Sequence, residues 1–226
     1  MSSILPQICS EYPVKVLDIT LPLSLKTLTY PGDLPPTINK ERDIEKGDEL
    51  TATHLSMNCH VGTHVDAPAH FLGDGETLDE LRLERFYGPA VVYELLDRKA
   101  ITRKDVESLH IRERCHILFK TMNSELLQHK AFSPDYCTLS SEAAEAMCER
   151  QPLSIGFDYY SLDPYQSDGE SFPAHKTVAR AGIPVYVCLN LNDVPPGEYL
   201  FSGFPLRLTG SEASPVRATL MQRDQE

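Results

Sequence analysis

The sequence predicts a mixed α/β domain, a sheet or partial barrel with a few flanking helices. Three observations predict it. Short apolar runs of strand length outnumber segments with helical start and stop signals. Seventeen prolines and 12 glycines punctuate the chain into many turns. Hydrophobic residues make up 41% of 226 positions, enough apolar mass for a real core. No repeat, low-complexity segment or linker divides the chain, so residues 1–226 are read as one domain.

Val14 to Ile19 reads as a first strand, running into Leu21-Pro22-Leu23 and the turn Tyr30-Pro31-Gly32-Asp33. From Leu50 to Met57 apolar and polar residues roughly alternate, which predicts a half-buried strand. Ala90 to Leu96 follows Gly88-Pro89 as an apolar strand. Thr102 with Asp105 forms a capping pair for a short helix to Leu109. His116 to Lys120 is a buried-type strand. Ser141 is placed to cap an Ala-rich helix to about Arg150. Leu153–Phe157, Ile183–Leu191, Tyr199–Leu208 and Val216–Leu220 read as further strands. A short helix from His175 to Ala181 ends before Gly182, a fitting residue just past a helix.

The formal charge is −12, with 33 acids against 21 bases, and the densest basic runs, Arg98-Lys99 and Arg112 to Arg114, are short. Such a chain is a poor partner for a phosphate backbone, which argues against nucleic acid. Met1 to Tyr12 has neither the basic nor the apolar part of a signal peptide. No apolar stretch approaches the ~18 residues of a membrane span. Cys9, Cys59, Cys115, Cys137, Cys148 and Cys188 are widely spaced, which reads as free thiols in a reducing cytoplasm.

The informative stretch is His60-Val-Gly-Thr-His64-Val-Asp66-Ala-Pro-Ala-His70, three of the chain's eight histidines and one aspartate within eleven residues. Gly62 and Pro68 argue against a continuous helix, so the segment reads as a loop that leaves a strand and folds around something. Two imidazoles and a carboxylate supply three ligands to Zn²⁺, Mn²⁺ or a similar ion and leave positions open. The bland alternative is a turn with surface histidines. His70 lies beyond that set. It can move a proton, be a fourth ligand or orient one, and spacing does not separate these. Asp158 and Asp163 read as turn-formers shaping a pocket wall. No serine sits in a G-x-S-x-G elbow, so a Ser-His-Asp hydrolase has no support.

The stretch His60 to His70 resembles the H-x-G-T-H-x-D-x-P-x-H signature of the metal-dependent cyclase family, which includes bacterial kynurenine formamidase and isatin hydrolase. Asp18 to Leu23, Tyr30 to Asp33, Lys120 to Ser124, Ile155 to Pro164, Phe204 to Leu208 and Ser214 to Ala218 resemble its other segments. The resemblance implies the swivelling β/β/α fold and a homodimer or higher homo-oligomer. It implies His60, His64 and Asp66 as first-metal ligands, His175 as a ligand of a second metal and His70 as the proton donor and acceptor. Tyr30 stands where the formamidases carry a tryptophan that packs on the substrate.

One departure follows from the resemblance. The formamidases place a metal-bridging glutamate twelve residues after the histidine matched by His175, and here that residue is Val187. Valine does not ligate, so one divalent ion is expected. Cys188 points to the opposite face unless a bulge turns it in. The function implied is a metal-dependent hydrolase in which a metal-bound water attacks an amide, formamide or lactam carbonyl, converting an N-formylkynurenine-like aryl formamide to kynurenine plus formate in tryptophan catabolism. Two alternatives stand beside it. One is a non-hydrolytic cyclase, dehydratase or isomerase of specialised metabolism on the same scaffold, which Val187 and Tyr30 favour. The other is an inactive binding protein, which the intact histidine and aspartate set argues against.

Overall fold

Apolar alternation organises the fold. The computed structural model describes residues 14–165 and 171–223; Cys9 and Met1 to Tyr12 lie outside them. In chain order the elements are β1 (Val14–Asp18), β2 (Thr37–Arg42), β3 (Ala52–Ser56), β4 (His64–Asp66), β5 (Tyr87–Leu95), β6 (Ala100–Ile101), α1 (Arg103–Ser108), β7 (His116–Thr121), α2 (Asn123–Leu126), β8 (Thr138–Leu139), α3 (Ser141–Cys148), β9 (Ser154–Phe157), α4 (Pro173–Arg180), β10 (Val185–Val187), β11 (Gly197–Ser202), β12 (Ala213–Pro215) and β13 (Thr219–Arg223). A nine-stranded sheet runs β1-β13-β11-β5-β7-β9-β10-β4-β12. Its centre, β5, β7, β9 and β10, is parallel and its flanks are antiparallel. The sheet curls into a half-barrel, and a bridge from Thr20 to Leu189 ties the two sides of the curl.

Side chains alternate between two cores. Ile117, Phe119, Ile155, Phe157, Val185 and Val187 face the helices α1, α3 and α4. Ala90, Val92, Leu118, Tyr186 and Val65 fill the other face. Gly156 lets β9 pass close to β7: a Cβ there would lie 2.3 Å from Leu118 Cδ2, and that buried side chain would have to shift. Because Val65 points into the second core, its neighbours His64 and Asp66 point to the helix-covered face.

Several boundaries differ from the sequence reading. The segment around His64 is a strand and not a loop: β4 lies between β10 and β12 with ladders on both sides. The cap of α3 is Ser140, whose extended backbone lets its side chain accept Ala143 N–H; Ser141 is already helical. The capping box of Thr102 and Asp105 on α1 is as read. The strand expected over 183–191 ends at Val187, because Cys188 adopts φ +54°. The segment over 199–208 leaves the sheet after Ser202, and of the segment over 216–220 only Thr219 and Leu220 are strand, in β13, while the short β12 lies just before it. β3 is not half-buried: it pairs only with β2, and this hairpin is exposed along most of its length. The five described cysteines are free thiols, and no helix among the described residues is long and apolar enough to cross a membrane.

Candidate metal centre and active site

The site is built where β4, the turn before it and the start of α4 meet. Gly62, at φ +72°, makes the turn that brings His60 back over β4. His64 and Asp66 are two residues apart on one strand and so share a face. One ligand atom from each of His60, His64 and Asp66 lies within 4.8 Å of those of the other two. Asp66 Oδ1 is 3.0 Å from His60 Nδ1 and 3.3 Å from His64 Nε2. Neither approach has hydrogen-bond geometry, so this buried oxygen has no hydrogen-bond partner. Burial raises the Asp66 pKa, but His64 and His60 outweigh it and hold the carboxyl well below the ordinary range. Three ligand atoms converging on a buried orphan oxygen fit a divalent cation. His64 Nδ1 lies 2.8 Å from Gly62 O; a carbonyl only accepts, so Nδ1 carries the proton and the Nε2 lone pair faces Asp66.

His70 ends a 3-10 turn opened by Pro68 and stacks on His60 at 4.2 Å between ring centroids. Burial of the ring lowers its pKa. His175 is buried on the first turn of α4, its Nδ1 2.7 Å from Asp163 Oδ2. Asp163 also accepts the backbone N–H groups of Ala174 and His175 at 2.8 and 3.0 Å. It therefore caps α4 from ten residues upstream of Pro173, where Phe172 (φ +57°) offers no capping side chain. That role is larger than the turn-former expected of it. Asp158 is a buried hub, accepting from Thr121 and Ser124 through backbone and hydroxyl; burial pushes its pKa up to about 6.

His60, His64, Asp66, His70 and His175 line a cavity of about 620 Å³, with Tyr30, Phe71 and Phe172 among its aromatic walls; Asp158 and Asp163 lie behind that lining. Tyr30 sits at the head of a turn with Gly32 at φ +105°, its ring edge-on to Phe132 at 5.6 Å. The cavity thus gathers every site residue named from the sequence. It adds Phe71, Phe172 and Glu212, which sequence reasoning missed. Glu212 Oε1 is 3.2 Å from His60 Nε2. No local motif marks a lone acid 152 positions from its partner. Val187 is directly opposite His64 in the β10–β4 register and 1% exposed. The apolar wall beside the site is therefore real. Cys188 does turn at a positive φ, but its thiol is not among the groups converging on the ligand atoms.

A family model described as "Putative cyclase" matches residues 17–164. The chain belongs to the cyclase family. Kynurenine formamidase of Bacillus cereus is 30% identical over 204 residues, covering 90% of this chain and 96% of that one. A solved structure described as a potential metal-dependent hydrolase with cyclase activity is 30% identical, with a TM-score of 0.81 over 94% of this chain and all of the other. Isatin hydrolase A from Ralstonia solanacearum, at 24% identity, has a TM-score of 0.85 and 98% coverage of both chains, a likeness of fold. The reading of an enzyme of this family, with the swivelling α/β fold, is borne out.

Proposed function

We propose that this cyclase-family chain is a metal-dependent amide hydrolase in which His60, His64 and Asp66 hold one divalent cation, zinc or manganese. One observation carries the reading: two imidazole nitrogens approach the buried Asp66 Oδ1 and neither donates to it. When bound, such a cation polarises a carbonyl oxygen and lowers the pKa of a water. The chain's own residues do the rest. The cavity has the size of a small-molecule site. Tyr30, Phe71 and Phe172 offer rings for an aromatic substrate. That suits an aryl formamide such as N-formylkynurenine, cleaved to the aryl amine and formate in tryptophan catabolism, and the names of the relatives support amide or lactam substrates. His70 takes the proton of the attacking water and passes it to the leaving amine; its lowered pKa leaves it neutral and able to accept near pH 7. His175, held by Asp163, contacts substrate. Val187 beside His64 favours one cation over two, and it also favours the second reading, a cyclase, dehydratase or isomerase on the same scaffold.

The proposed partner is a second copy of the chain, with both copies in the cytoplasm. The β2–β3 hairpin leaves Ile44 61% and Leu55 48% exposed, and a lone two-stranded hairpin is marginal without a surface to pack on. Elemental analysis of protein purified without chelator, with turnover of N-formylkynurenine beside a panel of lactams and lactones, tests the function. About one equivalent per chain and hydrolysis within the panel are expected. Absence of an ion after Zn²⁺ or Mn²⁺ is supplied overturns it.

A further inference from the structure

We infer that Glu212 is a positioning residue for His60: its carboxylate accepts the ring's Nε2–H and so turns the Nδ1 lone pair toward Asp66. The inference rests on the proposed metal site. A neutral imidazole carries one proton on two nitrogens, and the acceptor at one nitrogen decides which is free to ligate. His60 stands between two carboxylates. Its Nδ1 is 3.0 Å from Asp66 Oδ1 and its Nε2 is 3.2 Å from Glu212 Oε1. His64 receives the same instruction from the carbonyl of Gly62. The two imidazoles are thus set by different acceptors, one a backbone group and one a side chain that a substitution can remove.

The backbone that carries Glu212 is tied down, although the side chain is 44% exposed. Its own carbonyl accepts Ala67 N–H at 2.8 Å, one residue beyond β4. The preceding carbonyl, of Ser211, accepts Leu78 N–H at 3.0 Å, and Gly210 N–H donates to Asp79 Oδ1 at 2.9 Å. The β12–β4 register then pairs Ala213 with Asp66, which brings the residue before Ala213 to the rim of the cavity. The opposite neighbour of β4 offers only Val185 and Val187. Side-chain support for the ligand set therefore comes from the β12 side.

The test compares the wild type with Glu212→Ala and Glu212→Gln. Zn²⁺ and Mn²⁺ affinities are measured by titration against a competing chelator, and His60 ring tautomers by ¹⁵N NMR of the metal-free proteins. Glu212→Ala is expected to bind the ion 10- to 100-fold more weakly, the usual cost of losing such a support. Its metal-free melting temperature should not change. Glu212→Gln, whose amide oxygen accepts the same proton, should recover wild-type affinity to within about threefold. The wild-type ring should be the Nε2–H form and the alanine variant a mixture. Equal affinity of Glu212→Ala and wild type overturns this inference alone, as does a glutamine variant as weak as the alanine one. A wild type that takes up neither ion overturns the metal site itself, and this inference with it.

Discussion

Placing a carboxylate at position 187 probes the strand beside the site most directly. Val187 is buried and lies opposite His64, with Asp66 at the diagonal position two residues along β4. Diagonal cross-strand neighbours sit roughly 7 Å apart. At an effective dielectric of about 20, a glutamate there repels Asp66 by ~2.4 kcal/mol. Losing the buried valine costs ~2 kcal/mol more. The metal-free Val187→Glu protein should thus be destabilised by about 4 kcal/mol, which for a domain of this size lowers Tm by ~10 °C. A second cation held by the new carboxylate, Asp66 and His175 would answer the charge. Saturating Zn²⁺ should then recover most of the lost Tm and raise the stoichiometry from about one to about two per chain. Calorimetry with and without chelator, beside elemental analysis, reads both. A variant as stable as wild type in chelator, still binding one ion, refutes the reasoning.

Two further outcomes are expected. His70→Ala should keep the ion and lose roughly 10²-fold or more in kcat, the scale of a general acid or base, and release of the metal would make His70 a ligand. His116 is fully buried, bonded to Ser154 Oγ at Nδ1, and burial pushes its pKa down to about 4. Between pH 6.5 and 4 the unfolded chain takes up a proton there that the fold does not, so this contribution is intact above 6.5 and is lost as pH falls toward 4. Asp158, raised to about 6, works in the opposite direction over much of that range. The comparison must therefore be between variants: urea melts should show His116→Leu gaining about 3 kcal/mol on wild type between pH 7 and pH 4, and a pH-independent difference contradicts it.

The signature from His60 to His70 was legible because its residues are local and chemically unusual. Its conformation was not. β4 is three residues long and buried on both faces, so it shows no contrast between a wet and a dry side. The β2–β3 hairpin failed for the opposite reason, since nearly all of it is exposed and the alternation around Leu55 reports no core. Cys188 ended a strand that apolar character alone would carry to Leu191, because a left-handed backbone leaves no trace when the residue is neither glycine nor asparagine. Glu212 and Asp163 are long-range partners: the first reaches its histidine through the β4–β12 register, the second through a helix that starts ten residues on.

Asp163 makes the start of α4 and the setting of His175 one object. The same oxygen, Oδ2, receives the backbone N–H of His175 and its ring Nδ1. A pull on the imidazole is therefore a pull on the cap, and fraying of the helix loosens the ring. The amide protons of Ala174 and His175 become gauges wired to the cavity. Their rate of exchange with solvent follows how firmly the ring is held, because each can be released only when the carboxylate lets go.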